Sequence, residues 1–363
     1  MAQKLAELAA AHRLRRLEPA RGIDFSSNDY LQMAAHPRLR ETLAHALLDG
    51  LPVGAGAARL LRGNHDIISE CEKRMADWLG APACLLTSSG YLANYLLLST
   101  LPQRGDIILY DANVHASMRD GIRASSTQAY KFAHNNLEDL ARLISEHNRK
   151  QIFIVTESLF SMDGDFADIS ALYDLAVTHG TMLIVDDAHA TGIYGANGKG
   201  CTEGFSHDHL ITVHTGGKAL GAAGGIIAAR QDIMDLLINT ARPFIFATAP
   251  MPVLALALMT ATETLDSESW RREQLLALCT YAENKISGAQ KRAASPIFPI
   301  ILGTDSAALA AAKSLQSAGF DVRAIRPPTV PDGTARLRLS LNIAQTHKQI
   351  DACLNVMKQF IAA

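Results

Sequence analysis

The chain has 363 residues, 48% of them hydrophobic and 19% charged, with a formal net charge of −2. That length leaves room for a large and a small domain with ample core, and the near-neutral balance gives no electrostatic footing for nucleic acid or an anionic membrane surface. The cysteines (Cys71, Cys84, Cys201, Cys279 and Cys353) are odd in number and scattered, with no CxxC pair, which reads as buried thiols in a reducing cytosol, not as a disulfide framework or a metal site.

The first residues, Met1 to Ala11, predict a short amphipathic helix with early charges, without the continuous apolar stretch of a signal peptide. It heads an arm of residues 1–30. From about 64 to 230, helical spacing alternates with short apolar strands. Asp66–Leu79 is predicted helical and stops at Gly80, a residue suited to end a helix. Ala83–Thr87 is a strand running into Ser88-Ser89-Gly90, and Tyr91–Thr100 resumes helical spacing. Ile107–Tyr110, Gln151–Glu157, Met182–Val185 and Leu210–Val213 are further β-rich runs, with Ile169–His179 a helix between two of them. Such alternation predicts an α/β fold, a mostly parallel sheet covered by helices, over a large domain of residues 31–242. After Pro243 the texture changes. Pro250 and Pro252 break the chain, a long helical segment runs from Leu254 to Ser287, and strands follow at Pro296–Leu302 and Leu337–Leu341. A smaller α+β C-terminal domain of residues 243–363 is expected. The longest apolar runs, such as Met251–Ala261, contain proline or fall short of a membrane span, so a cytoplasmic protein is expected.

Ligands of such sheets gather at the carboxyl ends of the strands, and the chemically useful residues fall there. Gly90 and Tyr91 open a helix whose free N–H groups could cradle a phosphate, although a strand-to-helix turn is common without one. His115 could lie over a planar ring or be an ordinary core histidine. Asp186 ends a strand, where charge is costly unless paired; capping of Ala188 onward is the alternative. His189 lies three residues on, within reach of the same ring. Lys218 sits among glycines 216, 217, 221, 224 and 225, which lets the backbone approach a ligand closely, or else forms a flexible loop with a solvated lysine. A lysine amine can form a Schiff base with a carbonyl cofactor, and a buried carboxylate can keep a pyridine nitrogen protonated. Together Lys218 and Asp186 point to pyridoxal 5′-phosphate and carbanion chemistry on an amino acid. Competing motifs fail. Lys218 is followed by alanine and lacks the glycine of an NTPase loop, Gly198-Lys199 fails likewise, no HExxH occurs, and Leu86 replaces the first glycine of a GxSxG elbow.

Longer segments resemble the α-oxoamine synthases, pyridoxal-phosphate enzymes that condense an amino acid with an acyl thioester. These are Phe25-Ser-Ser-Asn-Asp-Tyr-Leu31, Arg62-Gly-Asn-His65, Ser89-Gly-Tyr-Leu-Ala-Asn94, Glu157-Ser-Leu-Phe-Ser-Met-Asp-Gly164, Asp186-Asp-Ala-His-Ala-Thr-Gly192 and Thr215-Gly-Gly-Lys-Ala-Leu-Gly221. The similarity runs from about residue 25 to the end. Ala324-Ile-Arg-Pro-Pro-Thr-Val-Pro331 with Gly333-Thr-Ala-Arg-Leu-Arg-Leu339 is similar to the branch in biotin synthesis that joins L-alanine to a pimeloyl thioester of coenzyme A or acyl carrier protein. The resemblance implies a fold-type I, aminotransferase-like homodimer with active sites at the subunit interface. It implies Lys218 as the Schiff-base lysine, Asp186 on the pyridine nitrogen, His115 stacked on the ring and His189 at the phenolic oxygen. Gly90, Tyr91, Ser161 and Thr215 would hold the phosphate or ring, and Thr248 would reach a partner's phosphate. Thr329 and Arg338 would face substrate, Arg338 as a carboxylate clamp, with Arg15 chosen over Arg13 and Arg16 as the arm's contribution. The chain departs from the family in a shorter arm before Phe25 and in Ala190, where glycine or serine is usual. The rival expectations are a glycine- or serine-using synthase, a transaminase supported by the fold alone, and a non-catalytic paralogue, against which the retained Lys218 argues.

Overall fold

The computed structural model of the chain describes residues 1–286 and 293–361. Its strands, in chain order, are β1 (Ile23–Asp24), β2 (Ala83–Thr87), β3 (Ile107–Asp111), β4 (Gln128–Phe132), β5 (Ile152–Glu157), β6 (Met182–Asp186), β7 (Leu210–Thr215), β8 (Gly225–Ala229), β9 (Ile297–Gly303), β10 (Phe320–Asp321), β11 (Ala324–Ile325) and β12 (Ala335–Ser340). The chain forms two compact units.

The larger unit, residues 32–160 and 166–272, holds a seven-stranded sheet in the order β2-β8-β7-β6-β5-β3-β4. Every neighbouring pair is parallel except the two made by β8. The reversal has a simple cause. Thr215 pairs with Gly225, and the short glycine-rich loop between them cannot hold the helical crossover that a parallel return needs. Alternation along each strand feeds two separate cores. Ile108, Phe153, Val155, Ile184 and Ile211 face one, with Leu96, Leu97, Met118 and Leu237 from helices. Ile107, Leu109, Ile154, Leu183, Val185 and Leu210 face the other, with Leu140, Leu143, Leu172 and Ala176. Burial on both faces is why these strands read as unbroken apolar runs. The expected helices Asp66–Leu79 and Ile169–His179 are present, closed by Gly80 and Gly180 in the left-handed conformation.

The smaller unit comprises Met1–Leu31, Ser161–Asp165 and the chain from Glu273 onward. An antiparallel sheet β11-β12-β9 packs against the helices Asp305–Ser317 and His347–Ile361. The arm is part of this unit: β1 pairs in parallel with β10, and Arg13 Nε donates to Asp305 Oδ2 at 2.9 Å. The Ser161–Asp165 segment is tied in by buried Arg336, whose Nη1 donates to Met162 O at 3.1 Å and Asp163 Oδ1 at 2.5 Å.

Two expectations need correcting. The division falls at 272/273, not 242/243, and residues 1–30 are no separate arm. The helix Pro252–Ser267 stays with the larger unit because Glu263 pairs with Arg38 and Arg74, and Trp78 Nε1 donates to Asp266. The single helix expected from Leu254 to Ser287 is two, Pro252–Ser267 and Trp270–Ile286, and Ser287 lies outside the described residues. The break comes at Glu268, whose carboxylate accepts from Arg271 Nε at 2.5 Å and closes the start of the second helix. Among the described residues, no helix is long and apolar enough to cross a membrane.

Candidate active site

The carboxyl ends of β2, β3, β5, β6 and β7 deliver Gly90, His115, Glu157, Asp186 and Thr215 to one cleft of about 430 Å³, which Lys218 also lines. Eight of the expected residues thus need sorting against it: Gly90, Tyr91, His115, Asp186, His189, Thr215 and Lys218 line the cleft, and Thr248 does not.

Asp186 is almost fully buried. Its Oδ1 accepts the Ala188 N–H at 3.0 Å and its Oδ2 accepts Asn94 Nδ2 at 2.6 Å. The capping alternative and the ligand-facing one therefore coexist, one oxygen serving each. His115 caps the helix Ala116–Ala124, with Nδ1 accepting the Ser117 N–H at 3.3 Å and lying 2.7 Å from Ser117 Oγ. Burial pushes the His115 imidazole below its ordinary value; the Asp186 carboxylate opposes this and the Lys218 ammonium adds to it. A neutral ring that can lie against a cofactor face follows. Tyr91 meets His115 edge-on, with ring centroids 6.5 Å apart, and its hydroxyl contacts Asp120. His189 is buried and Lys218 half-buried.

The helix Gly90–Thr100 begins in the cleft. Ser89 Oγ accepts the Leu92 N–H at 3.1 Å, while the N–H groups of Gly90 and Tyr91 have no intrahelical partner. A Cβ on Gly90 would stand 3.3 Å from Cβ and Oγ1 of Thr215, so glycine keeps the cradle open. Thr215 Oγ1 donates to Gly224 O at 2.9 Å and accepts the Gly217 N–H at 3.2 Å, which sets the loop bearing Lys218. A helix N-terminus for a phosphate, a buried carboxylate for a basic ring nitrogen and an amine for an aldehyde are the donor set that pyridoxal 5′-phosphate requires. The buried Asn94 Oδ1, without a hydrogen-bond partner among the described residues, is a further acceptor in the same cleft.

Ser161, Thr329, Arg338 and Arg15 belong to the smaller unit. There Arg338, buried on β12, donates from Nη1 to Ser161 O at 3.2 Å and from Nη2 to Ser340 Oγ at 3.0 Å, with Asn28 Oδ1 as a further contact. These bonds use three of its five N–H donors. Arg15 Nη2 donates to Thr329 Oγ1 at 3.0 Å, so these two expected residues meet, and Arg13 is instead engaged by Asp305 and Asp332. Thr248 is exposed beside Phe246, bridges to Ala58, and lines a separate hollow with Arg59 and Ser88.

Sequence reasoning missed Asn94 and Ser117 as site residues, whereas Glu157, expected at a strand end, lines the cleft. Asn94 stands four positions after Gly90, hence one turn along the same helix face. Glu157 pairs with Asp186 across β5 and β6, so their side chains share a face.

The profile of the aminotransferase class I and II family matches residues 20–356. An 8-amino-7-oxononanoate synthase of Anaeromyxobacter dehalogenans is 42% identical over 92% of this chain and 84% of its own. Among solved structures, an 8-amino-7-oxononanoate synthase from Francisella tularensis superposes with a TM-score of 0.80 at 28% identity, covering 94% of this chain and 98% of that one. A serine palmitoyltransferase from S. paucimobilis, with bound PLP and myriocin, superposes with a TM-score of 0.89 at 25% identity, covering 99% and 96%.

Proposed function

Because the chain belongs to the class I and II aminotransferase family, we propose that it is a pyridoxal-phosphate acyltransferase that joins L-alanine to a pimeloyl thioester with loss of carbon dioxide, forming 8-amino-7-oxononanoate. The observation that carries this reading is the convergence of Lys218, Asp186, His115 and a helix N-terminus on one cleft, in a chain 42% identical to a synthase of that name.

When bound, the cofactor supplies an aldehyde for an amine and a ring that stabilises negative charge on the adjacent carbon. Lys218 Nζ would hold the aldehyde of the cofactor. The freed amine is then the base that removes the Cα proton and later returns one. Asp186 would keep a proton on the ring nitrogen, His115 would pack on the ring face, and the Gly90 and Tyr91 N–H groups would bind the phosphate. Thr215 orients the Lys218 loop. Arg338 would take the carboxylate of the pimeloyl chain, assisted by Thr329 and Arg15. Coenzyme A or acyl carrier protein is the thioester partner. The same reading makes the protein a cytoplasmic homodimer, Thr248 being offered to the phosphate of a second copy; the exposed Phe246 and Leu61 nearby in sequence to its bridge support such a face.

Purified protein mixed with L-alanine and a panel of acyl thioesters is expected to release 8-amino-7-oxononanoate from the pimeloyl substrate, identified by mass. Thiol release with glycine or serine and not alanine would assign a different amino acid. Borohydride is expected to trap the cofactor on residue 218 in the wild type and not in Lys218→Ala, which should be folded and inactive. Full activity in Lys218→Ala would refute the mechanism.

A further inference from the structure

We infer that Asn94 is a positioning residue whose one amide group both anchors the Asp186 carboxylate and fixes, through Ser117, which nitrogen of His115 carries the proton. The inference rests on the function proposed above and adds a determinant of how the cofactor's ring is held.

Asn94 is 2% exposed and lines the cleft. Its Nδ2 donates to Asp186 Oδ2 at 2.6 Å and to Ser117 Oγ at 3.1 Å. An amide nitrogen has two hydrogens, and both are used. Turning the amide over would set two acceptor oxygens 2.6 Å apart at the carboxylate, so the orientation is forced. Ser117 Oγ, accepting from Asn94, has its own proton to give, and His115 Nδ1 lies 2.7 Å away. The Ser117 backbone N–H points to the same Nδ1 at 3.3 Å. Two donors converge on Nδ1, so it carries no proton. Desolvation lowers the ring's affinity for a second proton, and the neutral ring then carries its single proton on Nε2.

The chain of donors therefore runs from the Asn94 amide in two directions, to the carboxylate and to the histidine. Removing Ser117 cuts one branch. Removing Asn94 cuts both. The second polar atom of the side chain, Oδ1, is buried without a partner among the described residues, and buried acceptors are rarely left so. It is the acceptor for an N–H or O–H of a molecule bound in the cleft.

The test uses protein labelled with ¹⁵N in its histidine rings, read by long-range ¹H–¹⁵N spectra with and without pyridoxal 5′-phosphate, His115 being assigned from a His115→Gln sample. Wild type should show His115 as one tautomer, bare at Nδ1. Ser117→Ala, which loses the hydroxyl donor but keeps the backbone one, should loosen the tautomer preference and weaken cofactor binding less than Asn94→Ala does. Asn94→Ala should loosen it too and weaken cofactor binding about tenfold or more, the effect of losing one hydrogen bond to a charged group. A proton on Nδ1 in wild type, or an unchanged tautomer in both variants, overturns the inference, and the mild Ser117→Ala change keeps the second outcome readable if Asn94→Ala misfolds. The two readings fail separately. Protein that makes 8-amino-7-oxononanoate with a protonated Nδ1 sinks only the positioning role, and protein with the bare Nδ1 but no such product sinks only the reaction.

Discussion

His214 sets a measurable pH dependence on the element that carries the candidate lysine. It lies on β7 next to Thr215 and is 1% exposed. Thr191 Oγ1 donates to Asp187 O at 2.7 Å, so it can only accept from His214 Nδ1 at 2.8 Å. Nε2 must then accept from Thr212 Oγ1 at 2.8 Å. The neutral ring is fully satisfied, and a second proton would displace the Thr212 hydroxyl hydrogen in a buried site. Burial accordingly pushes the imidazole down to about 4, against the pull of the Asp187 carboxylate. The sign follows from which state takes the proton first. The unfolded chain binds it near the ordinary value of about 6.5, the folded one only near 4. Above that window both are neutral and stability is full; through it the unfolded state gains; below it no further loss comes from this group. At about 1.4 kcal/mol per unit the total is about 3 kcal/mol, a large share of the stability of a typical domain. Urea unfolding between about pH 7.5 and about pH 4.5 should show most of this loss in wild type. His214→Gln should lack it, because an amide can donate to Thr191 and accept from Thr212 but does not titrate. His207, also pushed down by burial, acts alike in both proteins and cancels in the difference. Parallel stability curves for the two proteins would refute the reasoning.

Two further outcomes test the fold and the substrate site. Gly221 has φ +62°, and a Cβ there would collide with the backbone of Met33 and Ala34, whereas Gly180 at φ +63° has open space around it. Gly221→Ala should therefore destabilise by more than Gly180→Ala, about 3 kcal/mol against about 1 kcal/mol in urea unfolding; equal losses would mean that the Lys218 loop yields. Arg338→Lys keeps the charge but loses the planar edge. The KM for the pimeloyl thioester should rise about tenfold or more, with little change for an acyl chain lacking the terminal carboxylate, and an equal effect on both substrates would place Arg338 elsewhere in the reaction.

The inner strands of the larger unit were readable because one cause, burial on both faces, produced their apolar runs, and the helix Asp66–Leu79 because its left-handed C-cap calls for the glycine at 80. Where that cause is absent the reading failed. β4 is an edge strand with Gln128, Tyr130 and Lys131 turned outward, so it shows no apolar run. The helix Pro252–Ser267 follows two prolines that looked like a domain boundary, yet Pro252 sits in its first turn, where a missing N–H is harmless. Its allegiance is decided by Glu263 and Asp266 pairing with residues some two hundred positions earlier, which no local pattern reports. The expected residues that line the cleft were legible because each ends a strand or stands in the segment just beyond one. Asn94 was passed over because it stands inside a helix, where an asparagine ordinarily announces nothing.

The adjacent acids Asp186 and Asp187 show why position alone does not assign chemistry. Asp187 Oδ1 accepts from Ser158 Oγ and from the Cys201 N–H, and its Oδ2 accepts from both the N–H and the hydroxyl of Thr202. Four donors saturate it, and Gly200 must lack a Cβ for the carboxylate to fit against the loop. That carboxylate has no capacity left for a ligand; it clamps the turn that carries its neighbour. Asp186 takes two donors, one per oxygen, and lines the cleft with lone pairs to spare. A charge this deeply buried is tolerated only with further compensation, and under the proposed function a protonated ring nitrogen would supply it. The same burial that makes Asp187 a fixture thus makes Asp186 a binding group, and the difference between them lies in the number of protein donors each receives.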